Sequence, residues 1–188
     1  MDCNILQWNV RSIRKRFCDI QLLLMNVYFS VMAFQETWLL DADVFTFRRY
    51  NVLRKNRPNG VHGGGVCLLI LALLTYSVVL LNTPLEAVAA TVVLPKKKIT
   101  VCSLYISPNT PLDKADLKAL IQQLPRPFLL LGDFNAKHSL WGSPVDDVQG
   151  RTVVEVMLEE NLVLLNSGYP THISDATGQA SYFLFLFP

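Results

Sequence analysis

Charged side chains are scarce in this sequence. They make up 17% of its 188 residues, against about 25% in an average soluble domain. The formal net charge is only +2. A nucleic-acid partner would have to be met by basic residues placed locally, because the chain has no bulk positive field. Cysteine is sparse too. Cys3, Cys18, Cys67 and Cys102 lie far apart with no C-x-x-C pair, which argues against a zinc site and leaves reduced thiols inside a cell as the expectation. The N-terminus, "MDCNILQWNVRSIRKRF", lacks the long apolar core of a signal peptide. No repeat, linker or low-complexity segment interrupts the chain. A spanning helix needs about 20 apolar residues. The uncharged apolar run at residues 66–81 is shorter and is broken by Thr75-Tyr76-Ser77. Two buried strands around a polar turn fit it better than a membrane helix.

What is present is apolar: 51% of the residues are hydrophobic, enough for one domain, residues 1–188, with a sizeable core. Strand-like runs occur at 4–10, 31–36, 50–55, 66–73, 77–81, 87–94, 98–106, 127–131 and 163–166. Helical spacing occurs over 15–29, from Asp113 to Leu124, and over 150–162. "AVAATVVL", a Pro-Lys-Lys-Lys turn and "ITVCSLYIS" predict a hairpin. The lysine run reads as a solvated turn or as a phosphate contact. The alternation predicts a layered α/β domain, two sheets packed face to face with helices outside.

Four strand ends finish in polar side chains: Asn9, Glu36, Tyr105, and Asp133 with Asn135 in "LLLGDFNAKHSLWGS". A rigid sheet presents functional groups to a cleft in this way. Asp133 and Asn135, at i and i+2, would share a face if the backbone stays extended, and Gly132 would ease a turn or a close approach. Oxygen donors without a Cys or His cluster suit Mg²⁺, held by one or two carboxylates plus substrate phosphate. Asp133 could then orient or deprotonate a water. Each residue also has a plainer reading: Asn9 as a turn cap, Glu36 as a loop start, Tyr105 as packing, and Asp133-Phe134-Asn135 as an Asx-type turn.

"LQWNVRSI", "FQETWL", "GGGVCLLI", "LYISP" and "LLLGDFNAKHSLWGS", in this order over about residues 3–182, resemble the endonuclease/exonuclease/phosphatase superfamily. More closely, they resemble the apurinic-type endonuclease domain of LINE-type (non-LTR, jockey-like) retrotransposons. The resemblance implies a DNase I-like two-layer β-sandwich flanked by helices. It implies Mg²⁺, or Mn²⁺ in its place, a double-stranded DNA target nicked to leave a 3′-hydroxyl primer, and fusion to a reverse transcriptase. It implies an intracellular protein working in the nucleus, with no membrane and no small-molecule cofactor. Carried over by position, Asn9 and Glu36 match the metal-site amide and acid. Tyr105 matches the residue contacting the scissile phosphate, and Asp133 and Asn135 match the water-activating acid and its companion amide. His138 and Trp141 belong to the retrotransposon form of the motif and are expected to shape or contact the DNA-facing loop. Arg11, Arg14, Lys15, Arg16 and Lys137 are candidate phosphate contacts.

The sequence departs from the family near its end. Ser181 fits the family's serine. Leu184 stands where an aspartate is expected, and the Ser-Asp-His close has no counterpart; His172 belongs to a different loop. The expectations are a sandwich missing its last strands, a "FLFLFP" tail adding exposed apolar surface, and weak or absent catalysis. The alternative function is therefore an inactive truncated remnant that at most binds DNA or metal.

Overall fold

The structure is a computed structural model that describes residues 4–57, 63–166, 172–173, 180–181 and 184–187. Its elements in chain order are β1 (Ile5–Asn9), α1 (Phe17–Asn26), β2 (Val31–Gln35), β3 (Tyr50–Lys55), β4 (Val66–Leu71), β5 (Tyr76–Val79), β6 (Glu86–Val93), β7 (Lys98–Tyr105), α2 (Lys114–Gln122), β8 (Phe128–Asp133), α3 (Val148–Glu159), β9 (Val163–Leu164), β10 (His172–Ile173), β11 (Ala180–Ser181) and β12 (Leu184–Phe187). Two mixed sheets form the sandwich. One has the order β1-β2-β4-β3 and the other β5-β6-β7-β8-β12-β9, with β10-β11 as a small separate pair.

Strand alternation builds the layers. Val31, Ala33, Leu68, Ile70, Val101 and Leu131 face into the space between the sheets. Their neighbours Met32, Phe34, Cys67 and Leu69 face outward, under Ile20 of α1. Cys102, Leu104, Leu130 and Phe134 face the other way, under Leu117 of α2 and Val153 of α3. Both faces of each sheet are thus covered over their central strands. That is why these strands read as continuous apolar runs and why the chain has so little charge. Asp113 and Asp147 cap α2 and α3, accepting from the amides of Ala115 and Gly150.

Residues 66–81 form two strands, as expected, and among the described residues no helix is long and apolar enough to cross a membrane. The two strands do not pair with each other. β4 lies in one sheet and β5 in the other, so this apolar segment ties the layers together. The predicted hairpin is β6–β7, antiparallel throughout.

The tail corrects one expectation. Leu184–Phe187, expected as an apolar tail, is a strand of the sheet. It pairs antiparallel with β8 (Leu184↔Gly132, Phe185↔Leu131) and with β9 (Leu186↔Leu164). An apolar strand beside β8 satisfies backbone groups that would otherwise face solvent. The side chains of His172 and Ser181 lie outside the described residues.

Two parallel pairs position the site. β1 and β2 are joined through α1, and β7 and β8 through α2. In such βαβ units the carboxyl ends of the strands carry the functional groups. Asn9 and Glu36 follow from the first pair, Tyr105 and Asp133 from the second.

Candidate active site

The four strand-end residues converge. The side-chain amide of Asn9 donates one hydrogen bond to Glu36 Oε1 (2.6 Å) and one to Asp133 Oδ2 (2.7 Å). Two carboxylates from different sheets thus lie within the sum of those distances, far inside the roughly 12 Å beyond which they could not share one metal-bound phosphate. Asn9 Oδ1 meanwhile accepts from the amide of Arg11 (3.2 Å). One end of the Asn9 amide caps the turn at Arg11, and the other bridges the two carboxylates.

Tyr105 and Asp133 are direct register partners in the parallel β7–β8 ladder. Both are buried, at 6% and 7% exposure. Burial raises the Asp133 pKa, while hydrogen bonds from Asn9 and from the Asn135 amide oppose the rise. Burial, followed by the charges of Glu36 and Asp133, pushes the Tyr105 phenol up to about 12. At neutral pH Tyr105 is therefore a hydrogen-bond donor.

Backbone strain surrounds the cluster. Arg11, Ser12, Glu36, Trp38 and Asn135 all adopt positive φ (41, 88, 51, 56 and 46°), a conformation that costs a non-glycine residue about 1–3 kcal/mol. Cross-bonds hold it: Ser12 N–H donates to Glu36 O, Thr37 N–H to Gly65 O, and Trp38 N–H to Gly64 O. Behind the site, Gln35 donates to Ser103 Oγ (2.9 Å), Ser103 donates to Phe34 O (3.1 Å), and Gln7 donates to Gln35. This polar bridge, buried at Gln35 and Ser103, ties the sheets together.

Asn135 is placed differently from the expectation. Its left-handed backbone ends the strand alternation that would have put it on the same face as Asp133. Its side-chain amide donates to Ile106 O (2.8 Å), and its backbone N–H donates to Asp133 Oδ1 (3.0 Å). The Asx-type turn is real, and it orients the site carboxylate. Gly132 is required by neither a turn nor a ligand: a Cβ there would collide with the Leu104 carbonyl of the adjacent strand.

Two expected DNA contacts are corrected. Trp141 is fully buried, its indole N–H donating to Ala136 O (3.1 Å). It is a core residue under the loop, beyond reach of a ligand. His138 is half-buried and caps the short 3-10 turn Ser139–Trp141: its Nδ1 accepts from the Leu140 amide (3.1 Å), Nε2 lies 3.6 Å from Asp146, and its ring packs on Trp141. Nδ1 is committed within the loop. Arg11 and Lys137 are exposed beside the site. Arg14 is exposed but paired with Asp43 (2.9 Å), Arg16 pairs with Asp19, and Lys15 lies over the Trp38 ring.

Sequence reasoning passed over Trp38, whose indole N–H donates to Glu36 Oε2 (3.3 Å), and the Gln35–Ser103 bridge. The tryptophan sat in plain view in "QETW"; the bridge joins residues 68 positions apart and leaves no local signature.

The donor set fits a hard divalent cation. Glu36 and Asp133 offer carboxylate oxygens, the donor type that a hard cation such as Mg²⁺ takes; among the described residues no group of three or more His, Cys, Asp or Glu is placed to hold a metal.

Residues 99–182 match the family described as Endonuclease-reverse transcriptase. The chain is 26% identical over 169 residues to the RNA-directed DNA polymerase from mobile element jockey of Drosophila melanogaster, covering 89% of this chain and 18% of that protein. It is 24% identical over 171 residues to the probable RNA-directed DNA polymerase from transposon BS of the same organism, covering 89% and 19%. It thus spans about a fifth of the length of these relatives. Among solved structures, the endonuclease domain of TRAS1, a telomere-specific non-LTR retrotransposon, superposes with a TM-score of 0.80 at 20% identity, over 98% of this chain and 84% of that one. The Neisseria 3′ phosphatase NExo bound to a product DNA hairpin superposes at 0.74 with 16% identity, over 99% and 86%. The motifs, the fold and the matched relatives agree: residues 99–182 match the Endonuclease-reverse transcriptase family, the chain is similar to retrotransposon RNA-directed DNA polymerases over 89% of its length, and its fold is that of the TRAS1 endonuclease domain.

Proposed function

We propose that this domain hydrolyses a phosphodiester in one strand of duplex DNA, as the nicking module of a retrotransposon protein that also carries a reverse transcriptase and works in the nucleus. The observation that carries the reading is the Asn9 amide bridging Glu36 and Asp133 beside Tyr105. Asp133 takes the proton of a water as that water's oxygen bonds to phosphorus, and its raised pKa brings it closer to the working pH of a base. The P–O3′ bond breaks, leaving a 5′-phosphate and a 3′-oxygen that is protonated to the primer hydroxyl. Tyr105 donates its hydroxyl hydrogen bond to a phosphate oxygen as charge builds there. The Asn135 backbone N–H and the Asn9 amide keep the Asp133 carboxylate from rotating. Glu36 would hold Mg²⁺, which when bound neutralises charge on the phosphate oxygens. Arg11 and Lys137 would meet flanking phosphates.

A second reading rests on Leu184. The backbone at 184 pairs with Gly132, next to Asp133, yet carries an apolar residue where the resemblance calls for an aspartate. A domain lacking that group binds DNA or metal and cuts weakly. Supercoiled plasmid with Mg²⁺ separates the two. We expect weak or absent nicking by residues 1–188, and nicking restored by a family-like C-terminal segment supplying the aspartate and Ser-Asp-His. Nicking by neither protein would sink the hydrolytic reading, and robust nicking by the 188 residues alone would sink the remnant reading.

A further inference from the structure

A second cluster adjoins the site. Glu86 opens β6 and is the antiparallel register partner of Tyr105. Its Oε1 takes the Arg57 guanidinium at 2.8 Å, and its Oε2 accepts the Gly65 N–H. Both side chains are largely shielded, at 23% and 16% exposure. The Arg57 guanidinium carbon lies 5.7 Å from the centre of the Tyr105 ring, within cation–π range. Arginine has no acceptor, so the Tyr105 hydroxyl proton is left for an acceptor other than Arg57. The glycine run makes room for this: Gly64 and Gly65 have φ of 64° and 79°, and a Cβ on Gly64 would strike both the Arg57 guanidinium and the Glu86 carboxylate.

We infer that Arg57, oriented by Glu86, is a positioning residue that fixes the Tyr105 ring and aims its hydroxyl proton at the substrate phosphate. The inference rests on the proposed role of Tyr105. Its charge logic is consistent: Tyr105 faces Glu36, Asp133 and Glu86, three acids that disfavour ionisation, and Arg57 is the cation opposing them. Burial alone would lower the Arg57 pKa, but the hydrogen bond and charge of Glu86, then Tyr105, hold it above its ordinary value. The guanidinium stays charged while shielded from water. A purely structural ion pair would staple β3's end to β6 and have no dependence on the phenol hydroxyl.

A double-mutant cycle on DNA affinity distinguishes these. Binding of a short fluorescent duplex is measured by anisotropy in EDTA, where no strand is cut. Tyr105→Phe should weaken binding by about tenfold, the scale of a hydrogen bond to a charged group. Arg57→Gln should cost nearly as much, and the double variant should be no weaker than either single. Arg57→Lys keeps the charge but loses the fork and should lose most of the effect. Melting curves check folding, and if Arg57→Gln does not fold, Glu86→Gln replaces it in the same cycle. Losses that multiply in the double variant, no loss on Arg57→Gln, or wild-type affinity for Arg57→Lys would each overturn the inference. Plasmid nicking by Asp133→Asn, in the restored protein, separates it from the reading beneath. Nicking that survives there sinks hydrolysis by Asp133 and leaves the Arg57–Tyr105 coupling as measured; uncoupled variants with Asp133-dependent nicking sink only the positioning role.

Discussion

The two sheets each supply half of the site, and they hold their halves by different means. On the β7–β8 side, Tyr105 and Asp133 lie inside regular strands and are neighbours by ladder register. Beneath them, Trp141 is fully buried and Gln149 donates to the carbonyls of Phe134 and Asn135. On the β1–β2 side, Glu36 stands just past its strand in a left-handed conformation, flanked by the left-handed Arg11, Ser12 and Trp38, and its neighbour Trp38 is only half-buried. One half is fixed by pairing and packing; the other stores strain that loop-to-loop hydrogen bonds restrain. The packed half should fail by unfolding, the strained half by losing its ligand.

The largest effect should come from removing the packed support. Trp141→Ala should lower stability by about 3–5 kcal/mol, the range for a buried aromatic, measured by urea denaturation; a loss below about 1 kcal/mol would show that the loop does not depend on its core. Next come the carboxylates, one per half. In a nicking-competent protein, Asp133→Ala and Glu36→Ala should each slow nicking at least about 10²-fold. Glu36→Ala should also weaken Mg²⁺ binding by calorimetry, and equal metal affinity in both variants and wild type would remove Glu36 from the metal site. Gly65→Ala targets the strained half. Its φ of 79° and the adjacent Thr37 hydroxyl should cost about 1–2 kcal/mol, with a larger relative loss in metal affinity than in melting temperature. The reverse order would refute the contrast.

The smallest effect is a slope. Because burial raises the Asp133 pKa, its contribution to stability is fully present below the unfolded carboxylate pKa and is lost as pH rises through the folded value. Asp133→Asn removes that dependence. The variant should gain on wild type by a few degrees in melting temperature as pH rises from acid to neutral, where 1 kcal/mol is worth about 2–4 °C. A difference that does not change with pH would mean that Asp133 ionises as readily folded as unfolded.

Much of this was legible in the residues because local pattern determined it. The alternation of "VMAFQ" and "VCLLIL" announced strands covered on both faces, and the periodicity ending at Asp113 and Leu124 announced α2. Asn9, Glu36, Tyr105 and Asp133 were legible as strand ends. Asn135 was misjudged because i, i+2 alternation assumes extended backbone, and the chain turns left-handed there. In sequence Trp141 and His138 read as shaping the DNA-facing loop or contacting DNA; the structure puts Trp141 in the loop's own interior, with His138 packed on it. The tail was misjudged for a different reason: "FLFLF" has the composition of a strand, but comparison with the family pattern drew attention to what it lacked. Arg57, Glu86 and the Gln35–Ser103 bridge join residues distant in sequence, and no periodicity marks them.

The Asn9–Asp133 hydrogen bond closes a loop of 124 positions. Contacts of that span form only after the entropy of the intervening chain has been spent, while α1, α2 and the β6–β7 hairpin need only neighbours. The bridge therefore acts as a clock for the whole chain. In refolding followed by circular dichroism and by duplex binding, the helical signal should return first and binding last, so that a partly folded domain carries no competent pair of carboxylates. Simultaneous recovery of the two signals would show that the bridge closes with the first strands.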